Sequence, residues 1–321
     1  MRIDAAQTAK RLLEQDRVLV LLHQYPDGDT IGAGCALCAG LQSLGKQAGI
    51  ACNHTIPERY GYITRLVRPM EFEPEFIVAA DVADPKLLGD KLAHFGSRVN
   101  LCIDHHGSNK LYAKETYLDP GAAATCEMMA GVLAGLGVTV DAALAAALYT
   151  GIATDTGCFK YSNTTAKTHF ITAKLMETGM EIEEINRVMF DTKTKNRVLL
   201  ERMAMDGMEF AFDDRCAIIT ITRAMREQSN TGDDDLEGIT TLPRQIEGVL
   251  AGVTIREQTD GRFKASVRTH PPLDAAAICA RLGGGGHPNA AGCTLEGTLE
   301  EAREALKSAV KEQLDERIFT H

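Results

Sequence analysis

The sequence predicts an α/β protein in which a parallel-sheet domain precedes a smaller α+β domain, with a cleft between them. Three short apolar runs separated by helical patterns indicate a parallel sheet, and each run ends in polar side chains. The runs are residues 18–22, 76–80 and 98–103. After residue 206 the pattern changes to alternating runs and turn residues, which are typical of antiparallel strands. We therefore expect a first domain over 1–190, a linker over 191–206 and a second domain over 207–321.

Length and composition exclude several classes of protein. A chain of 321 residues is long enough for two domains that each bury a core. Its net charge of −10 argues against a protein that grips long nucleic acids, because such binding needs many basic side chains on one face. No run of about 18 apolar residues is present, and the first 17 residues are too charged for a signal peptide. We expect a cytoplasmic protein that does not bind membranes.

The elements of the first domain follow from periodicity, caps and breakers. Helical periodicity predicts a helix over 3–15, before a strand at 17–22. The next helix should cover 30–44, with Asp29 or Thr30 as its cap and Gly45 at its end. The remaining predicted elements are strands at 48–52, 75–80 and 98–103 and helices at 85–94, 122–136, 141–153, 165–179 and 181–190.

Two hairpins are predicted in the second domain. The first joins strands 208–212 and 216–222, and the second turns at Thr259-Asp260-Gly261, a sequence that favours a tight turn. The other predicted elements are a short helix near 234–242, the two alternating runs 245–257 and 262–269 that flank this turn, a helix near 273–281 and a final helix near 298–316.

Polar side chains that can bind metals follow the predicted strands of the first domain. They are His23, Asp27 and Asp29 after the first strand, Asp81 after the second, Asp104, His105 and His106 after the third, and Asp155 further along the chain. Because the carboxyl ends of parallel strands share one edge of a sheet, we expect these side chains to converge. Carboxylates about 4 Å apart repel strongly unless they take up protons or bind cations. Carboxylates and imidazoles without thiolate favour Mn²⁺, Co²⁺, Fe²⁺ or Zn²⁺, and a shared carboxylate suits a pair of metals that supports phosphoryl hydrolysis.

These and other motifs also have interpretations that involve no functional site. A lone aspartate after a strand is usually a cap or turn residue, but three such strand ends together favour a site. The stretch Gly32-Ala33-Gly34 resembles a dinucleotide-binding loop, but Leu37 occupies the position of the third glycine. In addition, Asp27 and Asp29 stand where a pyrophosphate would need backbone amides without negative side chains nearby. The pair Cys35 and Cys38 has no partner pair at zinc spacing, so we interpret it as a helix face.

A glycine run in the second domain, residues 283–286, precedes His287; we call this run the glycine cassette. It is not a nucleotide-binding P-loop, because no Gly-Lys-Ser/Thr follows. Four glycines allow backbone amides to approach an anion closely, and His287 and Arg268 would add charge. A flexible linker is the alternative, but the run lies inside a patterned domain.

These motifs resemble those of the DHH phosphoesterase superfamily over nearly the whole chain. The matching residues are His23–Asp29, Asp81, Asp104–His106 and Asp155 for its four motifs, and Gly283–His287 with Asn289–Gly292 for its associated C-terminal domain. The two-domain size resembles the nanoRNase/pAp-phosphatase subfamily. This resemblance implies an active site in the cleft and a phosphoesterase that hydrolyses short oligoribonucleotides to mononucleotides, or 3′-phosphoadenosine 5′-phosphate (pAp) to AMP, with a metal-activated water. A phosphodiesterase acting on cyclic or linear dinucleotides such as c-di-AMP or pApA is the alternative.

The resemblance also implies a set of metal ligands. They are His23, Asp27 and Asp81 for one metal, and Asp29, Asp81, His105 and Asp155 for the other. Two Mn²⁺ ions per chain are implied, with Mg²⁺ or Co²⁺ as alternatives. Asp81 would bridge the metals, His106 would face the scissile phosphate, and Asp104 would orient an imidazole, as metal-bound histidines usually require.

Substrate contacts are implied for the second domain. The residues are Arg268, Gly284, Gly285, Gly286 and His287. Relatives often carry hydroxyl side chains where this chain has Ala122-Ala123-Ala124-Thr125, which puts a substrate contact in doubt there but not the metals. The expected partners are short single-stranded RNA or nucleotides, and neither duplex nucleic acid nor membrane. The assembly state stays open, with a homodimer as one option.

Overall fold

A computed structural model describes residues 1–236 and 238–318. The chain forms two compact units, which cover residues 1–192 and 193–321. No helix in the described ranges combines the length and the apolarity that crossing a membrane requires.

The first unit is built on a parallel sheet, as predicted. Its strands are β1 (Val18–Leu21), β2 (Ala48–Ala51), β3 (Phe76–Ala80), β4 (Leu101–Asp104) and β5 (Glu115–Leu118). They pair in the order β2-β1-β3-β4-β5, and every pairing is parallel. The apolar residues of β3 are all buried, which fits a strand at the centre of a sheet covered on both faces. The edge strand β5 was not predicted, because it is short and begins with polar residues.

Helices cover this sheet. They are α1 (Ala5–Leu13), α2 (Gly28–Ser43), α3 (Gly61–Thr64), α4 (Thr125–Gly135), α5 (Ala142–Asp155), α6 (Ala166–Met176) and α7 (Ile182–Asn186). Helix α2 is buried along most of its length, and a Cβ on Gly32 would lie 2.4 Å from the carbonyl oxygen of Ala147 in α5. The glycines of α2 therefore serve close packing. Cys35 and Cys38 are fully buried in the same helix.

Two details of the first unit differ from the prediction. The cap of α2 is Asp27, whose side chain accepts hydrogen bonds from the amides of Asp29 and Thr30. The predicted helix over 85–94 is wrong, since the chain forms 3-10 turns at Pro85–Leu88 and Ala93–Arg98. Gly89 between them has a φ of 74°, which a continuing α-helix cannot contain.

The second unit holds a mixed sheet. Its strands are β6 (Glu209–Ala211), β7 (Cys216–Ile221), β8 (Ala251–Glu257), β9 (Phe263–Thr269), β10 (Gly285–His287) and β11 (Ala290–Leu295). The order is β10-β11-β9-β8-β7-β6, with β7 and β8 parallel and the other neighbours antiparallel. Both predicted hairpins, β6-β7 and β8-β9, are confirmed. The predicted short helix near 234–242 is replaced by 3-10 turns at Asp234–Leu236 and Ile239–Thr241.

Four helices of the second unit pack on this sheet within the described residues. They are α8 (Lys195–Asp206), α9 (Arg223–Ser229), α10 (Ala275–Ala280) and α11 (Leu299–Ile318). Most of the segment predicted as a linker is α8, and it belongs to this unit because Leu200 and Ala204 pack with Ile219 and Ile221 of β7. The opposite face of the sheet packs with α10 and α11 in a separate apolar core.

Candidate metal centre

The carboxyl ends of three neighbouring strands place the candidate site of the first unit. His23 follows β1, Asp81 follows β3 directly, and Asp104 is the last residue of β4, with His105 and His106 after it. Because β1, β3 and β4 are parallel neighbours, these residues share one edge of the sheet.

Asp81 lies between two groups of side chains. Its Oδ2 atom is 3.7 Å from His23 Nε2, which is also 3.5 Å from Asp27 Oδ1. Its Oδ1 atom is 3.7 Å from His105 Nε2, which lies 3.1 Å from Asp155 Oδ2 and 3.9 Å from Asp29 Oδ2. The possible ligand atoms of His23, Asp27 and Asp81 lie within 4.8 Å of one another, and so do those of Asp29, His105 and Asp155. The structure thus brings together six of the predicted residues around one shared carboxylate.

The donor atoms of these groups fit divalent cations. The buried Nε2 atom of His105 makes no well-aligned hydrogen bond within the described residues, although carboxylate oxygens lie around it. The other ring nitrogen, Nδ1, is 3.1 Å from the carbonyl oxygen of Ala122, an arrangement that places the proton on Nδ1. With Nδ1 donating to Ala122, Nε2 is the nitrogen that would bind a metal once its proton is displaced, and it is aimed into a cluster of carboxylates.

The pKa values of the cluster indicate that it attracts positive charge. Burial and then the charges of Asp81 and Asp155 raise the pKa of Asp29 well above its usual range. Burial, together with neighbouring carboxylates, raises the pKa of Asp155 to about 6. Burial acts to lower the pKa of His23 and His105, but the adjacent carboxylates outweigh it and raise both to about 10. Protons held this tightly are the ones that a divalent cation displaces on binding.

Asp81 occupies an uncommon backbone conformation. Its φ is 61°, in the left-handed region that residues with a Cβ seldom adopt, and its amide donates a 2.9 Å hydrogen bond to the carbonyl of Ile103 in β4. Such strain is found where a side chain must point in one direction for function. Here it turns the carboxylate at the end of β3 towards both groups.

The segment Ala122–Cys126 positions several of these side chains. Helix α4 has Ala124 as its N-cap and no side-chain cap, so its first amides lack a local partner. The amides of Thr125 and Cys126 donate instead to Asp29, at 2.6 and 2.8 Å. The Thr125 hydroxyl donates to Asp81 Oδ1 at 2.9 Å. The segment in which the prediction questioned a substrate contact thus contacts the candidate metal ligands.

His106 is oriented by a separate contact. Its Nδ1 atom lies 2.8 Å from Asp104 Oδ1, and Asn109 Nδ2 donates to Asp104 Oδ2 at 2.5 Å. The side chain of Asp104 is fully buried, whereas that of His106 is 36% exposed. Asp104 therefore fixes Nδ1 on the buried side of the His106 ring, so that Nε2 lies on the exposed side.

The predicted substrate residues lie in the second unit. Arg268 is on β9, and the glycine cassette leads into β10, which pairs with β11. A Cβ on Gly284 or Gly286 would lie 2.2 Å or 2.6 Å from a backbone carbonyl oxygen, so the fold needs glycine at both positions. A Cβ on Gly285 would meet no atom within 4 Å. Gly285 thus presents a bare backbone to an open side.

Comparisons with known proteins agree with this architecture. The DHH family N-terminal domain matches residues 17–152, and the DHHA1 domain matches residues 215–316. The bifunctional oligoribonuclease and PAP phosphatase NrnA of Thermus thermophilus is 31% identical over 307 residues, which cover 92% of this chain and 90% of that protein. This chain belongs to the DHH family. Within the family it is similar to the NrnA protein of Thermus thermophilus along nearly the whole length of both chains.

Two further comparisons show a more distant likeness. The cyclic-di-AMP phosphodiesterase GdpP of Geobacillus thermodenitrificans is 24% identical over 95% of this chain, but the match covers only 48% of GdpP. The crystal structure of an exopolyphosphatase-related protein from Bacteroides fragilis superposes with a TM-score of 0.83, at 24% identity, over 96% of this chain and 95% of that chain. The latter shows that the two proteins share a fold.

Several residues around the DHH motifs were not predicted to matter. Asn163 donates to the carbonyl oxygens of Ala123 and Asp155, and so connects the segment Ala122–Cys126 to the last residue of α5. Glu127 accepts from the Ala123 amide and from the Thr168 hydroxyl. No signal in the sequence indicated these contacts, because the helical pattern was predicted to begin at residue 122.

Proposed function

We propose that this protein is a manganese-dependent phosphoesterase that hydrolyses short oligoribonucleotides to mononucleotides and pAp to AMP. The observation that carries the proposal is Asp81, whose two oxygens face two separate groups of carboxylates and imidazoles. The relative from Thermus thermophilus, named as an oligoribonuclease and PAP phosphatase, supports the substrate class.

Two divalent cations would be held by the two groups. The proposed ligands are His23, Asp27 and Asp81 for one cation, and Asp29, Asp81, His105 and Asp155 for the other. Manganese suits mixed carboxylate and imidazole ligands without thiolate, and Mg²⁺ or Co²⁺ are the alternatives. When bound, such a pair supplies a water activated near neutral pH and neutralises charge on a phosphate.

The chain's own residues then orient the reaction. Asp104 accepts a hydrogen bond from Nδ1–H of His106, so Nε2 would face outward and contact an oxygen of the scissile phosphate. Thr125 and the first amides of α4 hold Asp81 and Asp29 by hydrogen bonds to their oxygens. These bonds would keep the two carboxylates close together when bound cations hold both in the ionised form.

Substrate capture is assigned to the second unit. Arg268 would pair with a phosphate of the substrate, and His287 would add a second donor. The bare backbone at Gly285 would let an amide approach the same phosphate more closely than a side chain allows. This division leaves the metal centre to the first unit.

One panel of substrates tests the proposal. Protein stripped of metal by a chelator and reloaded with Mn²⁺, Mg²⁺, Co²⁺ or Zn²⁺ is assayed for AMP release from pAp, an RNA trimer and a cyclic dinucleotide. We expect release from pAp and the trimer, fastest with Mn²⁺ and absent without metal. Full activity after chelation, or no hydrolysis of either substrate with any metal, would exclude the proposal.

A cyclic or linear dinucleotide phosphodiesterase is the second candidate. The similarity to GdpP favours it, although only about half of that protein is matched. The same panel separates the two functions, because this candidate requires turnover of c-di-AMP or pApA faster than turnover of the trimer and of pAp.

A further inference from the structure

The backbone at Ala123 is held from two sides. Its amide donates to Glu127 Oε2 at 3.3 Å, and its carbonyl oxygen accepts from Asn163 Nδ2 at 3.0 Å. The same Nδ2 atom donates to the carbonyl oxygen of Asp155 at 3.1 Å. Because both partners are carbonyl oxygens, the nitrogen of the Asn163 amide and not its oxygen must face them. The backbone here is therefore fixed by two side chains that are not candidate metal ligands.

Glu127 is held in place by contacts of its own. Its side chain is fully buried, Oε2 accepts from the Thr168 hydroxyl at 2.8 Å, and Oε1 lies 3.1 Å from Lys167 Nζ. Both partners belong to the first turn of α6. A buried carboxylate is costly unless it is paired and hydrogen-bonded, and this one is both. The proposed reaction does not use this carboxylate, so a role in positioning accounts for its burial.

The residues on either side of the fixed backbone contact candidate ligands. The carbonyl oxygen of Ala122 lies 3.1 Å from Nδ1 of His105. Thr125 donates its amide to Asp29 at 2.6 Å and its hydroxyl to Oδ1 of Asp81 at 2.9 Å. A shift of this backbone would therefore move the supports of three candidate ligands at once.

These contacts lead to one of the two proposed sets of cation ligands. That set, here called the His105 group, consists of Asp29, Asp81, His105 and Asp155. The other set, here called the His23 group, shares Asp81 but uses its other oxygen, since His23 faces Oδ2 and Thr125 donates to Oδ1. Asp27 of the His23 group is held by amides of its own helix, α2. The support of the two groups is thus separate.

We propose that Glu127 and Asn163 are positioning residues for the cation of the His105 group and not for the cation of the His23 group. By holding the backbone at Ala123, they keep the ligands of the His105 group in place, as residues behind metal ligands generally do. The inference rests on the proposed function and deepens it, because it makes one of the two cations depend on a pair of side chains that touches neither.

The test separates the two groups by removing one ligand at a time. His23→Ala removes a ligand of the His23 group, and Asp155→Ala removes a ligand of the His105 group. Asn163→Ala, Glu127→Leu or Glu127→Gln is then added to each of these backgrounds and to otherwise unchanged protein. Mn²⁺ binding is measured by titration calorimetry, and circular dichroism checks that each variant is folded.

Two of the variants are controls. Glu127→Gln keeps an oxygen that can accept from Ala123, and it loses only the charge opposite Lys167, whose side chain is 57% exposed and can turn to solvent. Asn100→Ala removes a second half-buried asparagine from the same unit. Asn100 accepts from the amide of Ile77 at 2.9 Å, at the amino ends of β3 and β4 and so at the edge of the sheet opposite the metal centre.

The expected result is a selective loss. In the His23→Ala background, Asn163→Ala and Glu127→Leu should lower Mn²⁺ affinity about tenfold to a hundredfold, as loss of a residue behind a metal ligand usually does. In the Asp155→Ala background the same changes should leave the affinity unchanged. Both controls should keep the affinity in both backgrounds. In otherwise unchanged protein, one of two Mn²⁺ sites should weaken.

Three outcomes would overturn the inference. They are an equal loss of affinity in both backgrounds, no loss in the His23→Ala background, and a loss in Asn100→Ala as large as that in Asn163→Ala. Asn163→Ala and Glu127→Leu remove different contacts, so either one tests the inference if the other fails to fold.

The same proteins distinguish this inference from the proposed function. A selective loss of one Mn²⁺ site, in a protein that hydrolyses neither pAp nor an RNA trimer, would refute the proposed function and leave the positioning role standing. Normal hydrolysis of both substrates by the wild-type enzyme, with equal losses of affinity in both backgrounds, would do the reverse.

Discussion

Replacement of Thr125 by valine isolates the hydrogen bond that supports the shared carboxylate. The hydroxyl donates to Asp81 Oδ1 at 2.9 Å, and both side chains are buried. Valine has almost the same shape but no hydroxyl, so the change removes one donor from an ionised group. A hydrogen bond to a charged group contributes about 1.5–3 kcal/mol.

This magnitude predicts two measurable effects. If Asp81 binds metal, weaker support for its ionised form should lower Mn²⁺ affinity about tenfold to a hundredfold, as loss of a residue behind a metal ligand usually does. The metal-free protein should also lose about 3–12 °C in Tm, because each kcal/mol corresponds to about 2–4 °C in a unit of this size. Titration calorimetry with Mn²⁺ and thermal unfolding followed by circular dichroism measure the two quantities.

The matched control is Thr172→Val. Thr172 is also buried, and its hydroxyl donates to the Thr168 carbonyl at 2.8 Å within α6. This change removes a neutral hydrogen bond, so the Tm should fall slightly and Mn²⁺ affinity should stay unchanged. Equal Mn²⁺ affinity in Thr125→Val and wild type, with a Tm loss like that of the control, would refute the role given to Thr125.

Three further outcomes are expected. Asp81→Ala should stay folded and lose all but a few per cent of turnover, since both ligand groups lose an oxygen while the other charges persist. Retained activity with two metals bound would contradict the assignment of Asp81 as the shared ligand. Gly285→Val should raise KM for pAp and short RNA without changing the amount of bound manganese. The fold should tolerate the change, since a Cβ at Gly285 meets no atom within 4 Å. Gly232→Val, at another glycine of the second unit with open space around its Cβ position, is the control. RNAs of about two to five nucleotides should be cleaved faster than long structured RNA or duplex, because a net charge of −10 cannot offset many phosphates; equal rates in a gel assay would refute this.

The parallel sheet and the convergence of its strand ends could be predicted because both follow from local patterns. A run such as Phe76–Ala80 is apolar at every position, and the residue after it must lie at the carboxyl edge of the sheet. The polar edge strand Glu115–Leu118 and the short helix Arg223–Ser229 were missed, since neither has a long periodic pattern. The helix predicted over 85–94 was wrong because it is interrupted at Gly89, whose φ is positive. The composition of the surrounding residues does not reveal this backbone angle.

The hydrogen bonds that support the candidate site could not be predicted from sequence. Asp29 and the amides of Thr125 and Cys126 are about a hundred residues apart, and no local pattern joins them. The sequence pattern placed Thr125 inside a helix over 122–136, whereas it is the first residue of α4 and Ala124 is the cap. The contact arises only when α2 and α4 pack beside each other, which is a property of the tertiary fold.

The same contacts explain why phosphate recognition is assigned to the second unit. The N-termini of α2 and α4 lie at the site, and a helix N-terminus is a ready position for an anion. Both are already used within the protein, because Asp27 accepts the amides of Asp29 and Thr30, and Asp29 accepts those of α4. These four amides are bonded to carboxylates and are not available to a phosphate. Phosphate recognition is therefore proposed for the second unit, where the open backbone at Gly285 and the side chain of Arg268 have the required chemistry.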